Sequence, residues 1–257
     1  MQRLQATIEQ MMLTPSQIVE AGLGAALATG LGFGAYMYQA MWPPARLFGP
    51  AMRAPKRPGE IALTFDDGPN PRWTPELLDI LGRHGVKATF FLVGRYAATQ
   101  HPLVQRIHDE GHLIGNHTWN HPNLAFSGAE KTREELVRTN LELEQITGAP
   151  VRYFRPPFGA RRPATLHISR ELGMTPVLWN AITSDWTATD PAQLVPQFTR
   201  LMESHQRQGL ATNLVLHDGG HLSLDVNRAA SIAAAEQLIG QFRASHRFVR
   251  LDAWESN

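Results

Sequence analysis

Short apolar runs alternate with amphipathic stretches from Ile61 almost to the C-terminus. The apolar runs predict seven strands: Ile61–Phe65, Ala88–Val93, His112–Asn116, Val151–Arg155, Thr175–Asn180, Asn213–His217 and Arg247–Leu251. Helical patterns lie between them. One opens at Thr74-Pro75, an N-cap followed by proline at the first helical position, and ends near Gly85. Another runs from about Ser127 to Thr147 and stops at Gly148. A third, from about Asn227 to Ala244, is alanine-rich with Leu and Ile at helical spacing. Strands alternating with helices predict an α/β fold with a parallel sheet covered by helices. About seven such units over about 195 residues suit a distorted or incomplete (β/α) barrel. No glycine-rich dinucleotide fingerprint follows the first strand, which argues against an open nucleotide-binding sheet.

The N-terminal pattern differs. Residues 21–42 carry no charge and would span roughly 30 Å as a helix. Tyr36, Tyr38 and Trp42 gather at one end, as an interfacial belt would. The expectation is a tail over 1–17, a hydrophobic helix over 18–42 acting as a membrane anchor, a Pro/Arg-rich linker over 43–58, and the main domain over 59–257. Arg46, Arg53, Lys56 and Arg57 follow the span, whereas Arg3 alone precedes it. That bias opposes export, yet large domains translocate despite such charges, and the expectation is an extracytoplasmic domain.

Composition narrows the chemistry. A formal net charge of +1 gives no electrostatic reason for a nucleic-acid partner. Cysteine is absent, which excludes disulfides, thiolate metal sites and a cysteine nucleophile. Any metal must be held by His, Asp or Glu, a donor set that suits zinc or a similar divalent ion.

Polar residues of unusual type fall at the C-terminal ends of the predicted strands, where parallel barrels carry their chemistry. Asp66 and Asp67 follow the first strand; His117 and His121 follow the third; Arg155 ends the fourth. Asp185 and Trp186 lie past the fifth, and His217 ends the sixth. The i, i+4 spacing of His117 and His121 puts both imidazoles on one face of a helical turn, a common ligand pair. Two histidines and one aspartate leave a metal position open for water, as in catalytic sites. Adjacent aspartates on a turn can divide the work, one binding the ion and the other taking a proton. His112 opens a strand and reads as structural, and Asp218 reads as a loop support. His205 reads as a surface group, and His221 in "HDGGHLS" is a lesser candidate for the cleft border.

The segments "TFDDGP", "HTWNH", "RPPFG", "DW" and "LVLHD", in this order over roughly Gly59 to Leu251, resemble the NodB-homology polysaccharide deacetylases, carbohydrate esterase family four. The resemblance implies a distorted (β/α) barrel. It implies that Asp67, His117 and His121 hold one divalent ion, usually zinc, with Co2+, Mn2+ or Ni2+ as alternatives. Asp66 would be the general base, paired with Arg155. His217 would be the general acid, oriented by Asp185. The Phe158 backbone N–H would help hold the oxyanion, and Trp186 and Val215 would line the acyl pocket. Asn180 stands where the family commonly has a carboxylate, and Val215 where it often has leucine, which bears on acyl and substrate preference. The implied activity is hydrolysis of N-linked acetyl groups on amino sugars of a polysaccharide or lipid-linked glycan. The alternatives are a deformylase or amidase with the same machinery, and a carbohydrate-binding protein without turnover.

Overall fold

The computed structural model describes residues 29–255. In chain order they form α1 (residues 29–41), β1 (Glu60–Gly68), α2 (Trp73–His84), β2 (Thr89–Leu92), α3 (Gly94–Ala97), α4 (His101–Asp109), β3 (Leu113–Asn116) and α5 (Ala129–Thr147). There follow β4 (Tyr153–Phe154), α6 (Pro163–Glu171), β5 (Thr175–Pro176), β6 (Ala181–Ile182), α7 (Val195–Arg207), β7 (Thr212–His217), α8 (Ala229–Phe242) and β8 (Arg247–Val249).

Seven strands pair in the order β5-β4-β3-β2-β1-β7-β6, all parallel, and β8 pairs with the first residues of β1 before β2 takes up that edge. The end strands β5 and β6 do not pair with each other among the described residues, so the barrel is incomplete. The central strand β1 is buried from Ile61 to Gly68, as expected of a parallel strand covered on both faces. Phe65 and Phe90 stack at 5.3 Å and belong to the same core cluster as Leu77, Leu78 and Leu81 of α2. Gly85 and Gly148 cap α2 and α5 in the left-handed conformation expected of them.

Two local expectations are corrected. The run Thr175–Asn180 is strand only at its first two residues. There Met52 takes over the ladder: its N–H donates to Pro176 O at 2.7 Å and its carbonyl accepts from Leu178 N at 3.0 Å. Thr74 is not the cap of α2. Arg72 occupies the cap position without a side-chain cap, Asn70 Oδ1 accepts from Arg72 N and Trp73 N in the turn ahead of the helix, and the Thr74 hydroxyl bonds Asp218.

The membrane anchor is also corrected. Residues 1–28 of the N-terminal segment lie outside the described residues. Among the described residues no helix is long and apolar enough to cross a membrane, which overturns the anchored, extracytoplasmic placement and the membrane as a partner. The physical reason is that a run of glycine and alanine can lack charge without gaining much affinity for hydrocarbon. Of the described part, α1, residues 29–35 are exposed and only the C-terminal end packs against the domain. Ala40 is fully buried, and the Tyr36 hydroxyl donates to Ala125 O. Arg161, itself buried, donates to the carbonyls of Ala40, Trp42 and Ala45 at 3.3, 2.8 and 2.9 Å.

Candidate active site

β1 explains how neighbouring aspartates face one cleft. Asp66 pairs with Phe91 and Gly68 with Leu92, so Asp67 is an extra residue bulged out of the β1–β2 ladder, with φ +70°. A bulge cancels the strand's alternation and re-aims a side chain. Both carboxylates therefore line the same cleft.

Asp66 is held by a buried cation. Arg155 leaves β4 with no exposed surface, and its Nη1 donates to Asp66 Oδ1 and to Thr64 Oγ1, both at 2.7 Å. Its Nη2 donates to Asn213 Oδ1 at 3.2 Å, and its guanidinium lies 4.2 Å from the Phe91 ring centre. Burial pulls the guanidinium pKa down, and the Asp66 carboxylate opposes that pull. Oδ2 of Asp66 remains directed toward His117 Nε2, 4.0 Å away.

Asp67 meets two imidazoles. His121 Nε2 lies 3.0 Å and His117 Nε2 3.4 Å from Asp67 Oδ1. One ligand atom from each of the three residues lies within 4.8 Å of the others. His117 and His121 are not on a helical turn as expected. They sit in a loop after β3, with Thr118 and His121 at φ +66° and +60°. Asn116 Oδ1 accepts from Thr118 N, and Thr118 Oγ1 accepts from His121 N. Among the described residues, the non-glycine positions with positive φ are Asp67, Thr118, His121 and Phe158, all in this region. Such conformations cost of order 1–3 kcal/mol each and persist where a site requires them.

The three residues fit a divalent ion. Asp67 Oδ1 is buried with no hydrogen-bond partner. His117 Nδ1–H donates to Arg155 O at 2.8 Å, which leaves the Nε2 lone pair facing Asp67. Burial depresses the His121 pKa and favours the neutral ring that a ligand must be. Burial would raise the Asp67 pKa, but His117, His121 and His221 outweigh it and hold the carboxyl well below its usual range.

His217 stands beside Asp66, its register partner across β1 and β7. Asp185 accepts from the His217 N–H through Oδ2 and faces Nδ1 through Oδ1, both at 2.8 Å. Burial alone would lower the imidazole pKa; Asp185, Asp67 and Asp66 reverse this and raise it to about 9. Trp186 meets the His217 ring edge-on at 5.3 Å, and the Phe158 ring meets His121 at 4.7 Å. The cleft encloses about 540 Å³, with Phe158, Trp179, Ile182, Trp186, Leu222 and Val226 as apolar walls. Val215 is fully buried in β7 and is not part of that lining; its partner Ile182 is. Asn180 lies away from the cleft and braces β7 through Asn213 N and Ala211 O.

Sequence reading missed several supporting groups. Thr64 and Asn213 lie two and four residues before Asp66 and His217 on their strands, so period-two alternation was a usable signal. Ser231, which donates to Asp185 Oδ2 at 2.8 Å, sits among the alanines of α8 and had no signal. His205 is buried against Thr212 rather than on the surface.

An incomplete (β/α) barrel that brings three possible cation ligands, an arginine-held carboxylate and an aspartate-held imidazole to one rim has the makings of a metal-assisted hydrolase. A family model described as polysaccharide deacetylase matches residues 53–177. The chain is 35% identical over 202 residues to a peptidoglycan-N-acetylglucosamine deacetylase of Bacillus cereus, covering 78% of this chain and 70% of that protein. It is 35% identical over 174 residues to a chitooligosaccharide deacetylase of Azorhizobium caulinodans, covering 67% and 80%. The crystal structure of the Bc1960 peptidoglycan N-acetylglucosamine deacetylase superposes with a TM-score of 0.69 at 33% identity, covering 78% of this chain and 89% of that one. The chain belongs to the polysaccharide deacetylase family.

Proposed function

We propose that this enzyme removes N-linked acetyl groups from the amino sugars of a glycan of the peptidoglycan or chitin type, through the domain that begins near residue 59. Asp67, His117 and His121 would hold the ion; two nitrogens and one carboxylate without thiolate suit zinc. When bound, a divalent ion supplies Lewis-acid polarisation of the amide carbonyl and acidifies water. Asp66 takes the proton of the attacking water on Oδ2, since Arg155 occupies Oδ1. The Phe158 N–H donates to the developing oxyanion. As the C–N bond breaks, His217 Nε2 delivers its proton to the leaving amine while Asp185 holds Nδ1. Acetate and the free amino sugar leave. Trp186, with Ile182 in the place expected of Val215, walls the space for the acyl methyl.

The observation that carries this reading is that the Asp66–Arg155 pair and the His217–Asp185 pair stand in register on adjoining strands beside the Asp67–His117–His121 pocket. Zinc-loaded enzyme should release acetate from chito-oligosaccharides or peptidoglycan fragments. Asp66→Asn should retain the metal and lose about 10²–10⁴-fold in turnover. Full turnover by that variant would overturn the assignment of the base. Formate release from a formylated sugar without acetate release would favour the deformylase reading. Metal uptake with no hydrolysis of either would favour a binding role.

A further inference from the structure

His221 belongs to none of the roles above, yet the fold takes trouble to place it. It follows β7 on a loop whose carbonyls are pinned in turn. Arg228 Nε donates to Gly219 O at 2.6 Å. Arg95 Nη2 and the Tyr96 hydroxyl, from α3, both donate to His221 O. Asn70 Nδ2 donates to Leu224 O and Val226 O at 2.8 and 3.3 Å. The result is an imidazole stacked on His121, with ring centres 4.6 Å apart and planes inclined by 20°, and edge-on to Phe158 at 5.4 Å. Its Nδ1 faces Asp67 Oδ2 at 3.8 Å, the oxygen turned away from His117 and His121. Its nitrogens fall outside the cluster formed by Asp67, His117 and His121, so its place is beside the ligands rather than among them.

We propose that His221 is a positioning residue for the metal pocket, fixing the outer oxygen of Asp67 and the ring plane of His121 so that both ligands are set before the ion arrives. This rests on the metal-dependent reading above. Groups that orient ligands from outside the coordination sphere typically contribute about 10–100-fold in metal affinity. Two replacements separate the parts: His221→Phe keeps a stacking ring without a nitrogen, and His221→Gln keeps a polar end without the ring.

The test is zinc affinity by chelator competition on the full chain, with metal-free thermal melting as the control for folding. His221→Ala should weaken zinc binding about 10–100-fold. The Phe and Gln variants should each recover part of the loss, and metal-free melting should stay as in the parent. Cobalt-substituted parent and His221→Ala should show the same visible spectrum, since the coordinating atoms are the same. Zinc affinity within about twofold of the parent in His221→Ala would overturn the proposal. A changed cobalt spectrum would overturn it in favour of direct ligation. If the parent protein bound no zinc, the metal-dependent function itself would fail, and this inference with it.

Discussion

At the scale of single residues, the aspartate pair shows how a backbone detail divides labour. Motif resemblance assigned Asp66 and Asp67 different tasks, and the bulge at Asp67 is the local device that permits it. Without it, alternation would send one carboxylate to the far side of the sheet. The acid proposed on the other strand is tuned by its neighbours. As the proposed acid, His217 must be protonated to serve the leaving amine, so its contribution to turnover is present at low pH and lost as pH rises through its pKa. Three carboxylates raise that pKa from 6.5 to about 9, and a cation on Asp67 would cancel part of the pull. The falling limb of the kcat profile should therefore lie between 6.5 and 9. Asp185→Asn should move that limb to lower pH, read from pH profiles of acetate release; an unmoved limb would remove Asp185 from the assignment.

At the scale of elements, the site depends on contacts between loops distant in sequence. A Cβ at Gly219, just after β7, would lie 2.1 Å from the carbonyl oxygen of Asp67. Only glycine permits that approach. Gly219→Ala should destabilise the fold by about 1–3 kcal/mol, as overpacking does, and should also weaken zinc binding because Asp67 must move. Urea unfolding and metal titration of the same variant check the two effects separately. The elements themselves were unevenly legible. The buried run at β1 and the glycine-capped helices α2 and α5 stood out because their cause is local. The runs at Val151–Arg155 and Thr175–Asn180 were legible as strands but not in length, being strand only at β4 and β5, and β6 was not legible at all, since two-residue strands exist through their partners, as Met52 beside Pro176 shows.

At the scale of the whole molecule, the pocket joins chain segments from Asp66 to Arg228 and closes only in the folded state. An ion bound there stabilises the native state alone. At a free concentration one hundred times its dissociation constant it contributes about 2.7 kcal/mol. Chelation should lower the Tm by roughly 5–10 °C for a protein of this size, without loss of far-ultraviolet helix signal. His121→Ala should show no such shift, and a metal-dependent Tm in that variant would contradict its ligand role. The packing of α1 and Arg161 against the domain is a property of this scale too. Counting charges in residues 21–42 measured what the segment lacks rather than what it touches.

The chain's own order of apolar runs, glycine caps and five motif segments determined the fold class and the family, because each of these is written in patterns a few residues long. Tertiary structure alone decided the bulge at Asp67, the buried hydrogen bonds of Arg155, the replacement of Val215 by Ile182 at the cleft wall, and the seat of His221. Those features arise where strands and loops remote in sequence meet, and their energies come from contacts that no local pattern encodes.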